Sequence, residues 1–465
     1  MAEARDTFDE KTPSSPVIAD RHVDERILEH SHDADVALQA LQYSEGQVVT
    51  LDEATNKRLL RIIDWHLMPL MCVVYGLNYL DKTTISYASI MGLETDLHLV
   101  GNQYEWLGSM FYFGYLGWEY GANQLLQRMP LGKYSAVCII LWGMVLSCFA
   151  AVDNFGGAVA IRLFLGVCEA SVTPGFALLT SQWYTRTEQG QRTGLWFSFN
   201  GFGQIIGGAI AYGIAVGTEK NGSSIAPWKI IFLATGLCTV CVGFLFLWVI
   251  PDNQLNARWL SPEDRILAIE RVRINQQGIG NKHFKMYQFK EALTDPMTWA
   301  FAFYSLVADI PNGGISNFFS QLIENFGYTE TQSLLYGIPG GAVEVIALIA
   351  SGFMGDWLGR RLLCSMGGLM SAMIGMILII ALPMSNNTGP QTFRPQDAPR
   401  YVPAEITIVV CYGVCLLDLA FIWWWYDRQN KKKALIRASA DYAKMENQEW
   451  LDLTDGENAE FVYTL

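Results

Sequence analysis

The sequence predicts an all-α polytopic membrane protein. Three observations carry that reading. Of the 465 residues, 51% are hydrophobic and 17% charged, whereas a soluble globular chain is about one quarter charged. The apolar residues gather in runs of roughly 20, the length that crosses a hydrocarbon core as a helix. Lysine and arginine fall in alternate short loops between the runs. Length alone would suggest about three soluble domains, but the runs overrule it.

In chain order, residues 1 to about 50 read as an unstructured tail, with Thr12-Pro13-Ser14-Ser15-Pro16, scattered acids and no sustained apolar period. No signal peptide is visible, so the first span must direct insertion. A short amphipathic stretch with Lys57, Arg58 and Arg61 follows. Spans are expected near 65–86, 104–125, 134–153, 156–182, 193–216, 227–250, 296–319, 334–355, 362–384 and 402–426.

The domain reading is a tail at 1–60, a six-helix bundle at 61–250, a central loop at 251–295, a second bundle of about four helices at 296–427, and a tail at 428–465. Arg128 and Lys133, Arg186 and Arg192, Arg360 and Arg361, then Arg428 and Lys431 to Lys433 mark the cytoplasmic side. Both tails and the central loop are therefore expected in the cytoplasm, with the chain in the plasma membrane. Trp423 to Tyr426 form the aromatic belt before the last basic cluster. The sequons at Asn221 and Asn386 fall on the outer side, where glycosylation is expected.

Function classes narrow quickly. The formal charge of −13 sits largely in the tails, which argues for solvation and against nucleic-acid binding. Most of the nine cysteines lie in or beside apolar runs and read as packing residues, including Cys238 and Cys241 at CxxC spacing. There is no P-loop, no His cluster for a metal and no nucleophile–base set, so neither an enzyme nor a cofactor is expected. Energy would come from an ion gradient.

A charge inside hydrocarbon is costly unless it is paired or wetted. Asp81, Lys82, Arg162, Glu169 and Glu344 therefore stand out, with Glu119 nearer a span end. Asp81 and Arg162 are expected at similar depths, about 7 and 9 Å below the outer end at 1.5 Å per residue. They can meet if spans one and four face each other. Glu169 follows Arg162 by seven residues, or two turns, on the same face and level with Tyr75 and Asn78.

A carboxylate substrate suits Lys82 or Arg162. Asp81 or Glu169, holding a proton in low dielectric, suits coupling. The alternative is a fixed ion pair between helices. Span seven offers Asn312, Gly313, Gly314, Ser316 and Asn317, and span five offers Asn200 and Gln204 among glycines. Either set fits substrate binding or plain close packing.

Gly352-Phe353-Met354-Gly355-Asp356-Trp357-Leu358-Gly359-Arg360-Arg361 resembles the inner-loop signature of the major facilitator superfamily, GxxxD(R/K)xGRR, with Trp357 in place of a basic residue. That likeness makes Gly352, Asp356, Gly359, Arg360 and Arg361 a conformational gate. LDKTTISYASIMGL from Leu80, YEWLGSMFYFGYLGWEYGANQLLQRMPLGKY from Tyr104, RLFLGVCEASVTPGFALLTSQWY from Arg162 and ARWLSPEDR ending at Arg265 resemble the anion:cation symporter family, in particular fungal allantoate permeases.

The resemblance implies twelve helices in two halves, alternating access and proton-coupled uptake of a small organic anion, of the allantoate, ureidosuccinate or short-peptide kind. It places the family's acid–base pair on Asp81 and Lys82 and its Arg…Glu pair on Arg162 and Glu169. The implied partners are the lipid bilayer, protons and the anion. Gly121 stands where the family has proline, and Glu344 has no family counterpart.

One departure is large. The first half uses about 31 residues per span, and the second falls roughly 60 residues short of six. Gly389 to Phe393 resembles the loop before helix twelve yet follows span nine at once. Helices ten and eleven are missing, leaving a C-terminal half of about four helices and ten spans in all. Export by the same fold, or a sensor or inactive remnant, are the competing readings.

Overall fold

The computed structural model describes residues 19–20, 47–48, 52–275, 286–325, 328–381, 402–439 and 454–464. Two-residue strands β1 (Ala19–Asp20) and β2 (Gln47–Val48) pair antiparallel within the N-terminal tail. Everything that positions the site is helical.

The N-terminal half runs α1 (Glu53–Ala88), α2 (Gln103–Arg128), α3 (Leu131–Cys148), α4 (Phe155–Glu169), α5 (Val172–Trp183), α6 (Arg186–Asn221) and α7 (Pro227–Val249). The connecting segment carries α8 (Pro262–Val272) and α9 (Met286–Thr294). The C-terminal half has α10 (Pro296–Asn325), α11 (Glu330–Tyr336), α12 (Ile338–Leu358), α13 (Arg361–Ala381) and α14 (Val402–Arg437).

Polar punctuation sets the ends. The Asp52 carboxylate accepts from the Thr55 amide at 3.2 Å and opens α1. Thr185 and Glu188 form a capping box at the start of α6. Gly359 closes α12 with φ +62°, which suits a residue lacking Cβ. α4 and α5 are one span broken at Ala170–Ser171. Pro174, in the first turn of α5, lacks the N–H that would continue the ladder across the break. The break comes one residue after Glu169, so that carboxylate sits at a helix terminus inside the bundle.

Each of the ten expected spans coincides largely with helix, and the end of the ninth, 382–384, lies outside the described residues. Seven stretches among the described residues are long and apolar enough to cross a membrane: Glu53–Asp96, Leu131–Ala151, Phe155–Trp183, Arg186–Asn221, Pro227–Val249, Glu330–Gly355 and Ile406–Arg437. The other three are α2, α10 and α13. Residues 382–401, between α13 and α14, lie outside the described residues. They number twenty, enough for one span and too few for two. Helices ten and eleven therefore have no room, and the C-terminal half is incomplete.

Close backbone approach builds the N-terminal half. Added Cβ atoms on Gly114 of α2 and Gly166 of α4 would collide with the carbonyl oxygens of Leu163 and Phe111. The two helices thus touch backbone to backbone. α6 is the hub. Its Gly203 lies against Gly76 of α1, and its Gly201 against Gly341 of α12. The α6–α12 and α1–α10 contacts join the halves.

Residues 454–464 return to the end of α14. Lys433 donates to the Asn458 carbonyl at 3.0 Å, and Asn430 and Tyr463 exchange bonds at 2.8 and 2.9 Å. Tyr463 stacks on Tyr426 at 4.5 Å. Arg186, at the start of α6, lies over the Phe461 ring at 4.4 Å.

Candidate functional site

α1 and α4 meet deep in the N-terminal half, and each brings an acid and a base. Asn78, Asp81, Arg162 and Glu169 are all at most 2% exposed. Asn78 and Lys82 are four residues apart and share a face of α1. The Asn78 amide donates to Glu169 Oε1 at 2.7 Å, and Lys82 Nζ reaches the same oxygen at 3.1 Å. Glu169 Oε2 has no hydrogen-bond partner. The Glu169 side chain is fully buried, while 27% of the Lys82 side chain remains exposed. The ammonium thus caps the carboxylate while one side of it stays exposed.

The expected meeting of Asp81 with Arg162 does not occur as an ion pair. Trp142 Nε1 of α3 donates to Asp81 Oδ2 at 2.6 Å, and Asp81 Oδ1 is left without a partner. Arg162 Nε donates instead to the Leu107 carbonyl of α2 at 3.2 Å, and its Nη1 is unpartnered. The cause is the glycine crossing, which presses α2 onto α4. Phe111 stands between, its ring 5.5 Å from the Arg162 guanidinium and 6.0 Å from Lys82 Nζ. A buried orphan oxygen on Asp81 and an orphan donor on Arg162 are costly. Buried groups held short of satisfaction call for an explanation, of which a functional role is one.

The other expected residues divide. Asn200 is 8% exposed on α6. The Gln204 amide donates to the Gly337 carbonyl at 2.9 Å and is spent joining α6 to the start of α12. Asn312 is exposed on α10, and the side chain of Asn317 lies outside the described residues. Of the gate motif, Gly352 packs against Gly190 and Gly194 of α6, and Arg361 donates to the Arg186 carbonyl at 3.0 Å across the halves. Arg360 is exposed, and the Asp356 side chain lies outside the described residues. Asn221 is exposed at the end of α6; Asn386 falls outside the described residues. Among the described residues no metal-binding cluster occurs.

Four residues were missed by sequence reasoning. A buried indole N–H needs an acceptor, which is the signal for Trp142. Asp309 of α10 and Asp418 of α14 are acids within spans, and the argument that picked out Asp81 applies equally to them. Phe111 had no signal, since its place depends on how two helices cross.

Residues 71–393 match the Major Facilitator Superfamily. The chain belongs to that family. It is 40% identical to an uncharacterized transporter of Schizosaccharomyces pombe, over 89% of this chain and 91% of that one. It is 35% identical to the allantoate permease of Saccharomyces cerevisiae, over 95% of this chain and 92% of that one. A thiamine pathway transporter of the same yeast is 31% identical over 93% and 94%. Among solved structures, the xylose transporter of E. coli is similar at 14% identity with a TM-score of 0.48, over 76% of this chain and 82% of that one.

These relatives are membrane transporters and not enzymes, and this chain is a multi-pass membrane protein of their class. The pairing with allantoate permease runs over 503 positions, more than the whole 465-residue chain. Gaps must therefore open in this chain, in keeping with the missing helices.

Proposed function

We propose that the chain imports a small organic anion together with a proton across the plasma membrane, with both termini in the cytoplasm. The observation that carries this reading is the Lys82–Glu169 pair at 3.1 Å, with the acid sealed and the base partly open. A proton arriving on Glu169 cancels the charge that holds Lys82. The ammonium then takes the substrate carboxylate. Losing the proton on the other side restores the pair and expels the anion.

Arg162, held by one carbonyl with a free donor, is the second cation and becomes available when Phe111 moves. Asp81 keeps Arg162 from standing as an isolated buried charge. Asn200 and Asn312 line the path and offer hydrogen bonds to the rest of the substrate. The allantoate permease relative makes allantoate the first substrate to try.

A second reading is favoured by the incomplete C-terminal half, which leaves faces of the bundle uncovered. On that reading the chain is a non-transporting membrane protein.

One experiment separates the two. Uptake of labelled allantoate is measured in permease-deficient yeast, with surface expression confirmed, for the chain and for Arg162→Ala at two external pH values. Uptake that rises with acidity and vanishes in Arg162→Ala supports the importer. If a chain at the surface takes up nothing, the two missing helices are grafted from allantoate permease. Uptake restored by the graft assigns the native chain to the second reading. No uptake even then rules out allantoate as the substrate.

A further inference from the structure

The two halves carry opposite kinds of charge. Between Pro296 and Asp427 the only lysines and arginines are Arg360, Arg361, Arg394 and Arg400, none of them within a span expected from the sequence. The C-terminal spans carry acids alone, including Asp309, Glu344 and Asp418. In the N-terminal half Lys82 and Arg162 are matched one for one by Glu169 and Asp81. Any further acid facing Lys82 is therefore surplus negative charge.

Asp309 is that acid. The Ser320 amide of α10 donates to Ser86 Oγ of α1 at 3.2 Å, which fixes the register of the two helices. Asp309 precedes Ser320 by eleven residues, and Tyr75 precedes Ser86 by eleven. Eleven residues is about three turns, so each pair shares a face. Asp309 is thereby set opposite the Tyr75–Lys82 face of α1. It lies within electrostatic reach of both residues, and it is exposed. Asn312, one turn further on, hydrogen-bonds to it.

We propose that Asp309 is a specificity-determining residue that restricts the site to substrates with a single carboxylate. The proposal rests on the anion reading above. A carboxylate bound at Lys82 leaves the remainder of the substrate against the wall that Asp309 occupies. A second carboxylate there meets a fixed negative charge with no base in its own half to offset it, whereas an amide or ureido group does not.

The test is ligand-induced thermal stabilisation of the purified full-length chain. Two matched pairs serve as probes: allantoate against ureidosuccinate, and succinamate against succinate. The dicarboxylate of each pair should need about tenfold more concentration for the same shift, as expected for one like charge at close range in partly wetted protein. Asp309→Asn keeps the shape and the contact to Asn312 and should bring each pair level by strengthening the dicarboxylate. Asp418→Asn, on α14, should leave the tenfold ratio in place. Unliganded melting temperatures confirm that each variant is folded. Dicarboxylates binding the unaltered chain as well as their partners would overturn the proposal, as would a ratio that survives Asp309→Asn. If no acid stabilises the unaltered chain, the anion reading fails and this one with it.

Discussion

The two halves of this chain solve the same burial problem with different success. In the N-terminal half, half of the most apolar stretch is buried in the span containing α1 and again in the span containing α3. In the C-terminal half the figures are 22% for the span at α11–α12 and 28% for α14. Among the described residues the second half's own apolar core is Met297, Ala300, Leu362, Leu419 and Ile422. Both halves have apolar side chains facing outward, as lipid requires. What differs is inward cover. Two absent helices leave α10, α12 and α14 with faces that no protein partner occupies among the described residues. Polar chemistry follows the same division, with acids and bases balanced in number on one side and baseless acids on the other. A half-bundle thus stays well formed only where each helix has neighbours on two sides.

The largest test of that contrast is the buried pair. Lys82→Met leaves Glu169 as an uncompensated buried charge and should destabilise the folded chain by about 3–5 kcal/mol, read as a lower melting temperature of purified protein. The double variant Lys82→Met/Glu169→Gln should recover part of the loss, because no lone charge remains. In the C-terminal half Asp418 has a buried oxygen without a partner. Asp418→Leu should therefore be neutral or stabilising.

Next comes backbone contact. Gly166→Ala forces α2 and α4 apart and should cost about 3 kcal/mol, with loss of surface expression. An added Cβ on Gly367 or Gly375 of α13 meets nothing within 4 Å. Alanine at either position should leave the melt unchanged or raise it slightly, by up to about 1 kcal/mol. Equal effects in the two halves would erase the difference argued above.

A smaller effect is expected from Trp142→Phe. It removes the donor from Asp81 while keeping an aromatic ring, and should cost about 1–3 kcal/mol in the same melts. Arg361→Ala, which loses the bond to the Arg186 carbonyl between the halves, should cost about 1 kcal/mol. A larger loss would mean that the C-terminal half depends on the N-terminal half for its order.

Spans were legible in the sequence because hydrocarbon thickness dictates their length, and the described part of every expected span is largely helical. The gap was legible for the same reason, since a helix cannot be hidden in too few residues. The chemistry was legible where burial of charge is costly, at Asp81, Lys82, Arg162 and Glu169. Who pairs with whom was not. Asp81 finds Trp142 and not Arg162 because Gly114 and Gly166 let α2 slide in and offer Arg162 a carbonyl. Spacing along one helix fixes depth and face but says nothing of the angle at which the next helix crosses. Gln204 illustrates a second limit, since its amide is taken by Gly337, the kind of inter-helix bond that polarity alone does not separate from a substrate contact.

The returning segment at residues 454–464 has a practical consequence. Tyr463 is stacked on Tyr426 and bonded to Asn430, so residues 454–464 are clamped against α14. A fluorescent reporter or purification tag fused directly to this segment would pull at α14 and Arg186. A long flexible spacer is needed wherever this segment must carry one.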